Sequence, residues 1–579
     1  MIRTLHAYLA RELAKVTGLA LMAFTLVMTV FAIMEPLRKR GLATDQVVEL
    51  FGYMLPVMLS FTLPVAALFA TTIVYGRFAF ENELLACRAS GVSTLTLLKP
   101  ALGLAALVTV CSLVLSNFVS PAMASRADQA VQANIRGYAY NQLRTRQHIE
   151  GGPSRSEQYI IHADRVDPET DELKGVVAIQ AKSRSRKPGD VDVRWITARS
   201  AKLKFFTSLG ESYVAFDLID FAPSQSSTFY TGQAYHQPIP PIKIPNPLKE
   251  KPSWYDWGQL LRTIRNPALN SGVSRRLTQV RHQIAADMLA NEVADAIGGN
   301  DATGFCTLRG VGRTYVVQAG EATPKVNGVV MLSARGEREV SVTHFADDVE
   351  AAAWRAQPAM ALFAGPQSGV YAGGVFLTSA LPRVATAALG RLEVRYDSRT
   401  DQSLVSLILD RDVVLRAPAL GGLPSRRDEW SIRLPLPEHI AARMQDLQLD
   451  NIYDQAERFR TPTAGPIFQS IDHLKRVIVP DLVADLIAEM HVRISYGSSC
   501  FLLVALGAAM GLIFRGGHVV SAFAISVIPA AAVIVMILMG KEMARNPDVP
   551  MTLGLGIIWA GVTGLLVVTA GVYAYLARR

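Results

Sequence analysis

Apolar residues gather into six blocks, 16–34, 51–75, 101–118, 494–514, 519–540 and 551–576, three before and three after a long polar middle. At 1.5 Å per residue each block, as a helix, is long enough to cross a hydrocarbon core of about 30 Å. The first follows Arg3, Arg11 and Lys15, as a secretory leader would. Its length, and the absence of a small-residue cleavage site before Glu35-Pro36-Leu37-Arg38, predict a retained span instead. Pro56, Pro64 and Pro529 fall inside the second and fifth blocks and predict kinks there. In the fourth block "GAAMG" sets Gly507 and Gly511 on one small-residue face, which permits close helix approach within the subunit or between subunits.

In the middle the period changes to that of strands. "YIIHA", "VVAIQA", "VRWITARSAKLKFF" and "SYVAFDLIDF", separated by turn residues, predict antiparallel β structure with one buried face, a sandwich or jelly roll. "HQPIPPIKIPNPLKEKP" carries six prolines between Pro238 and Pro252, too many for a central strand, and reads as an extended linker. Residues 254–297 then look helical and basic. Earlier phrases return after them: Tyr159 to Ala163 followed by Gly175-Val176-Val177 is echoed by Tyr315 to Ala319 followed by Gly328-Val329-Val330. The echo reads as a duplicated β module. The expected layout is spans one to three over 1–121, a β module over 122–245, a linker and helical segment over 246–300, a second β module over 301–420, a helical connector over 421–493 and spans four to six over 494–579. The fold class is an α+β integral membrane protein, with six transmembrane helices (3+3) flanking a large external β-rich, jelly-roll-like region.

Charge orients this layout. With both termini inside, the short inner loops hold nine Lys and Arg against five on the outer side, which the positive-inside bias favours. The stretch "GRFAFENELLACRASGVS", residues 76–93, then faces the cytosol, and the middle lies outside it. Cys306 is the single cysteine of the external region, so no intrachain disulfide is available there. The chain has no Walker A loop, because Gly540-Lys541 is followed by Glu542. Nor does it have His-Glu-x-x-His, Cys-x-x-Cys or Gly-x-Ser-x-Gly, so no metal, cofactor or catalytic residue is predicted. The central part of each span is free of Asp, Glu, Lys, Arg and His, which disfavours a proton- or ion-coupled carrier.

Two polar constellations remain. Arg38-Lys39-Arg40 lies just past the outer end of the first span, against the orientation bias. It suits either head-group snorkelling or an anionic ligand such as a phosphorylated lipid, whose phosphate an arginine fork would hold by two hydrogen bonds. In residues 76–93, Glu83, Leu84, Cys87 and Gly91 follow a helical spacing, so an acid heads a partly apolar stripe that ends at a glycine stop. That pattern fits a cytosolic helix on which something docks, or a solvated charged face.

The chain resembles the lipopolysaccharide-export permease family of the LptF/LptG type. The resemblance rests on the 3+3 layout and on "GRFAFENELLACRASGVS". It rests also on "SNFVSPAMASRA", "YIIHADRVD", "WITARSAKL" and "AEMHVRISYGSSCFLLVALGAAMGLIFR". It implies a non-catalytic, multi-pass permease subunit of the cell inner membrane, with a periplasmic β region. The implied partners are a cytosolic ATP-binding-cassette ATPase dimer, a second related permease and a periplasmic β-rich bridge protein; the implied cargo is lipopolysaccharide or a similar anionic envelope lipid. By the same resemblance Glu83 is the coupling acid, with Leu84, Arg88 and Gly91 shaping its helix, and Arg38, Lys39 and Arg40 contact lipid phosphates. Spans one and five would line a lateral gate. The section 250–415 has no counterpart in the family. Two other classes remain open: a membrane-anchored envelope scaffold and a lipid-modifying membrane enzyme.

Overall fold

The computed structural model describes residues 2–40, 44–133, 140, 143, 147–154, 157–167, 170–183, 191–208, 211–223, 236–244, 251–298, 304–310, 313–334, 339–345, 383–397, 402–416, 425–514 and 519–578. These form two compact units, Met1–Leu269 with Pro480–Arg579, and Asn270–Val479. Among the described residues, six helical stretches are long and apolar enough to cross a membrane: Arg3–Ala32, Val48–Phe80, Thr94–Ala127, Gly465–Ile513, Phe523–Arg545 and Met551–Arg578.

In the first unit α1 (Ile2–Arg40) packs on α2 (Thr44–Phe80), and the chain continues through α3 (Glu83–Ala89), α4 (Thr94–Leu97) and α5 (Lys99–Val114). A π-helical segment, Leu115–Val119, joins α5 to α6 (Ser120–Ala133). Pro56 and Pro64 lie inside α2, which runs on as one helix. Having no amide hydrogen, they leave the carbonyls one turn back, those of Gly52 and Ser60, without their helical donor; the hydroxyls of Ser60 and Thr62 meanwhile donate within the helix to the carbonyls of Val57 and Met58.

The first β body is one antiparallel sheet rather than two packed sheets. Its strands β1 (His148–Ser154), β2 (Glu157–Asp167), β3 (Glu172–Ser183), β4 (Val191–Ser208), β5 (Glu211–Pro223) and β6 (His236–Ile244) follow sequence order, and the sheet curls until β1 lies beside β6. Alternation sets the inner face: Tyr159, Ile161 and Ala163 on β2 and Val214, Phe216 and Leu218 on β5 are buried together. The proline-rich stretch expected to be a linker contributes strand β6 over its first part. Proline is tolerated because β6 is an edge strand, and because Pro240 and Pro241 sit where its register with β5 shifts between Val214 and Phe216.

The residues that read as helical and basic form two helices. Trp257–Arg265 is α7, opened by a capping box in which Asp256 accepts from the Gln259 amide and the Gln259 side chain accepts from the Asp256 amide. Ser271–Gly298 is α8 and belongs to the second unit.

Among its described residues, that unit wraps nine strands about α8: β7 (Phe305–Gly310), β8 (Arg313–Gln318), β9 (Glu321–Lys325), β10 (Val329–Ser333), β11 (Val340–Phe345), β12 (Arg383–Ala387), β13 (Leu389–Asp397), β14 (Gln402–Arg416) and β15 (Ser425–Pro435). Their order is β7-β8-β11-β12-β14-β13-β10-β9, with β15 on the other side of β14. Leu289, Val293 and Ile297 of α8 pack into a core with Val317, Leu332, Leu392 and Leu407. The order and the central helix differ from the first sheet, so the echo between 159–177 and 315–330 does not extend to topology. Residues 425–435, expected in the helical connector, are strand β15 along β14. The connector then forms α9 (Glu438–Gln445), α10 (Leu449–Gln455) and α11 (Gly465–His473).

The spans after it are α12 (Val479–Ile513), α13 (Val519–Arg545) and α14 (Met551–Arg578). Pro529 lies inside α13, which continues as one helix through it.

One turn in the second unit requires glycine. Gly328, at φ +67°, follows Asn327, also left-handed, and a Cβ on it would stand 2.4 Å from the Ala286 Cβ of α8. Replacing Gly328 by Ala is expected to destabilise this unit by roughly 2–3 kcal/mol, from strain and overpacking. Cys306 reports it: burial, then the charge of Glu292, pushes its thiol up to about 12, so little thiolate exists at pH 8 and labelling awaits opening. Maleimide labelling of Cys306, followed by mass spectrometry, is expected to quicken roughly 30- to 150-fold in Gly328→Ala.

Candidate functional site

Both chain termini and the α2–α4 connection share one end of the bundle. Leu9 and Leu13 of α1, Phe78 of α2, Leu97, Leu512 of α12 and Leu576 of α14 pack into one cluster there, and Leu84 of α3 is buried in its midst. The Tyr75 hydroxyl donates to the Leu97 carbonyl at 2.8 Å, and His6 Nε2 donates to the Thr96 carbonyl at 3.0 Å. These bonds fix the frame on which α3 is mounted.

A seven-residue helix is not stable by itself, so its ends and one buried side chain must hold it. Asn82 at φ 60° turns the chain out of α2 into α3. At the other end the Gly91 amide donates to the Arg88 carbonyl and the Val92 amide to the Cys87 carbonyl, the two bonds of a Schellman motif. Gly91 supplies the left-handed residue at φ +80°, and Val92 is buried beneath the helix end. Arg88 folds back, its Nε donating to Thr94 Oγ1 at 3.0 Å. It therefore braces the start of α4.

Glu83 stands in the first turn of α3, where a carboxylate suits the helix dipole. It borders a groove shared with Tyr8 and Glu12 of α1 and with Arg77 and Glu81 at the end of α2. Arg77 pairs with Glu81 at 3.3 Å and Lys15 with Glu12 at 3.5 Å. Leu85 beside it is exposed. The surface thus joins carboxylates to an apolar side chain, a combination that can receive a cation carried on an apolar stem.

The other predicted residues lie elsewhere. Gly507 and Gly511 face α2: a Cβ on Gly507 would meet Thr71 Oγ1 at 2.6 Å, and one on Gly511 would meet the Thr72 carbonyl oxygen at 2.9 Å. The helix α1 reaches Arg40, while the side chains of Arg38, Lys39 and Arg40 lie outside the described residues.

The end of the bundle away from the termini holds a cluster that sequence reading passed over. Glu489 and Arg493, both on α12, are 5% and 4% exposed. Arg493 Nε donates to Glu489 Oε1 at 3.1 Å, and Lys541 of α13 donates to Glu489 Oε2 at 2.5 Å. One turn further along both helices, Arg545 pairs with Asp485 at 3.5 Å. Arg493 Nη1 reaches Asn117 in the π-helical segment, and Nη2 donates to the carbonyls of Pro252 and Ser253. The Trp559 indole donates to His491 Nδ1 at 3.1 Å. The signal in the sequence was the i,i+4 acid–base pair at the mouth of an apolar helix. It was missed because the fourth span was started at 494.

Three and three membrane-length helices about a β-rich middle, with a pinned short helix between the second and third, make this a multi-pass membrane protein. The model of the lipopolysaccharide export system permease LptF/LptG family matches residues 7–221 and 428–576, more than half of the chain, and the chain belongs to that family. The match leaves off inside β5 and resumes inside β15, so β6 to β14 and α7 and α8 form an insertion. No curated protein matches the chain.

Two outcomes follow for α3. Burial, then the charge of Glu83, raises the Cys87 thiol above its ordinary value. In Glu83→Gln, N-ethylmaleimide labelling of Cys87 at pH 8 is expected to speed up roughly twofold, the effect of one screened charge at i,i+4. Gly91→Asn, which tolerates the left-handed conformation, is expected to keep the fold of α3, whereas Gly91→Val costs about 1–3 kcal/mol and raises proteolysis at 82–92.

Proposed function

We propose that this chain is the permease subunit of an ATP-binding-cassette exporter that lifts lipopolysaccharide, or a similar anionic envelope lipid, out of the inner membrane and passes it to the β region. Both termini and α3 are cytosolic in this reading, and the β bodies are periplasmic, in keeping with nine inner against five outer cations. The observation that carries it is the mounting of Glu83. A seven-residue helix is held by a buried Leu84 and a Schellman end so that a carboxylate and the exposed Leu85 face outward.

ATP is hydrolysed in a partner dimer, whose basic surface meets Glu83; Leu84, Arg88 and Gly91 keep the helix rigid enough to pass its displacement to α2 and α5. A second permease completes the cavity, with α1 and α13 at its lateral opening. Arg38, Lys39 and Arg40 hold the lipid phosphates, and Gly507 and Gly511 serve packing within the subunit. Acyl chains enter the curled β1–β6 sheet, where burial of apolar surface is favourable by about 25 cal/mol per Å². A periplasmic β-rich bridge protein then receives the lipid from that sheet.

The test is co-purification of the intact protein with its ATPase from its own membranes. Glu83→Arg is expected to reduce the recovered ATPase about tenfold or more, since a favourable contact becomes a like-charge one. Equal recovery from both proteins, or none from the unaltered one, would reject the reading.

A further inference from the structure

Arg493 lies in the part of the chain that the family model covers, yet its Nη2 donates to the carbonyls of Pro252 (3.5 Å) and Ser253 (3.0 Å), which belong to the insertion. All three guanidinium nitrogens are committed: Nε to Glu489, Nη1 to Asn117 and Nη2 to the turn. Charge explains why the turn is needed. Glu489 is one carboxylate facing two cations, Arg493 and Lys541, and the next acid, Asp485, is engaged by Arg545. A guanidinium that is 4% exposed must find acceptors within the protein, and the carbonyls at 252 and 253 complete its set. The turn itself is slight, a single 3₁₀ turn closed by Trp254 N–H to the Lys251 carbonyl and Tyr255 N–H to the Pro252 carbonyl. It leads straight into the capped helix α7.

We propose that Arg493 is a positioning residue that fixes the base of the insertion to α12, so that a displacement of α12 is carried into the 252–254 turn and α7. Arginine is required by geometry, because its planar fork serves three directions at once, whereas a lysine in its place would bring one compact ammonium. The anchoring stands on the contacts above; the transmission of movement rests on the transporter reading.

Hydrogen exchange by mass spectrometry on the intact protein in lipid nanodiscs, without nucleotide, tests the anchor. Arg493→Lys is expected to raise exchange of the amides within 251–256 roughly tenfold or more while α12, α14 and the β1–β6 sheet keep theirs. Arg476→Lys, on an exposed pair with Asp472, serves as the control and should leave 251–256 unchanged. Equal exchange in Arg493→Lys and the unaltered protein, or a rise of the same size in every span, overturns the anchor.

The complex purified from its own membranes, nucleotide-free or trapped with ADP and vanadate, tests the transmission. The unaltered protein should change exchange at both α3 and 251–256 on trapping, and Arg493→Lys should keep the first change and lose the second. Retention of both in Arg493→Lys overturns the transmission. No change at α3 in the unaltered protein counts against the transporter reading, while the nucleotide-free comparison still decides the anchor.

Discussion

The bundle depends on how closely two backbones approach. Gly507 and Gly511 let α12 lie against α2 at distances where a Cβ would strike the Leu68 and Thr72 carbonyl oxygens. In lipid there is little hydrophobic gain in bringing helices together, so contact density and satisfied hydroxyls must do it. Thr71 and Thr72 meet that condition by donating to the carbonyls of Ala67 and Leu68 on their own helix. Because of this seam, α2 and α12 behave as one post. α2 ends in the mounting for α3, and α12 carries Arg493 and, about 30 Å away along its axis, Leu512 in the cluster that buries Leu84.

The two ends of that post use charge in opposite ways. Around α3 the carboxylates of Glu12, Glu81 and Glu83 line an open groove, where water screens them and a partner can compete for them. At the other end Glu489 and Arg493 are withdrawn from water, and each must be satisfied by named neighbours. Buried ion pairs of this kind contribute little net stability, because desolvation offsets the attraction. What they impose is geometry, since a misplaced partner leaves a charge uncompensated.

The spans were legible in the sequence because a membrane demands long apolar runs, and the six runs coincide with helices. The stripe through Glu83, Leu84, Cys87 and Gly91 was legible for a similar reason: helical spacing and a glycine stop are local properties. Other features depended on contacts distant in the chain. Nothing local marks Pro240 and Pro241 as a strand, because their place is set by a register shift against β5. Repeated phrases at 159 and 315 suggested one module twice, yet strand order is decided by pairings such as β8 with β11, which a phrase does not encode. Arg493 seemed to precede a span, and its burial is evident only when Asn117 and the 252–253 carbonyls are brought to it.

Strand β6 closes the first sheet with three residues, Pro238, Pro240 and Pro241, that have no amide hydrogen. A margin with missing donors is a poor template for another chain, and the register shift twists it further from a flat ladder. A curled antiparallel sheet with open edge strands runs the hazard of stacking edge to edge with its neighbours. The prolines blunt that hazard, so the rim resists fibrous growth without any change to the apolar inner face.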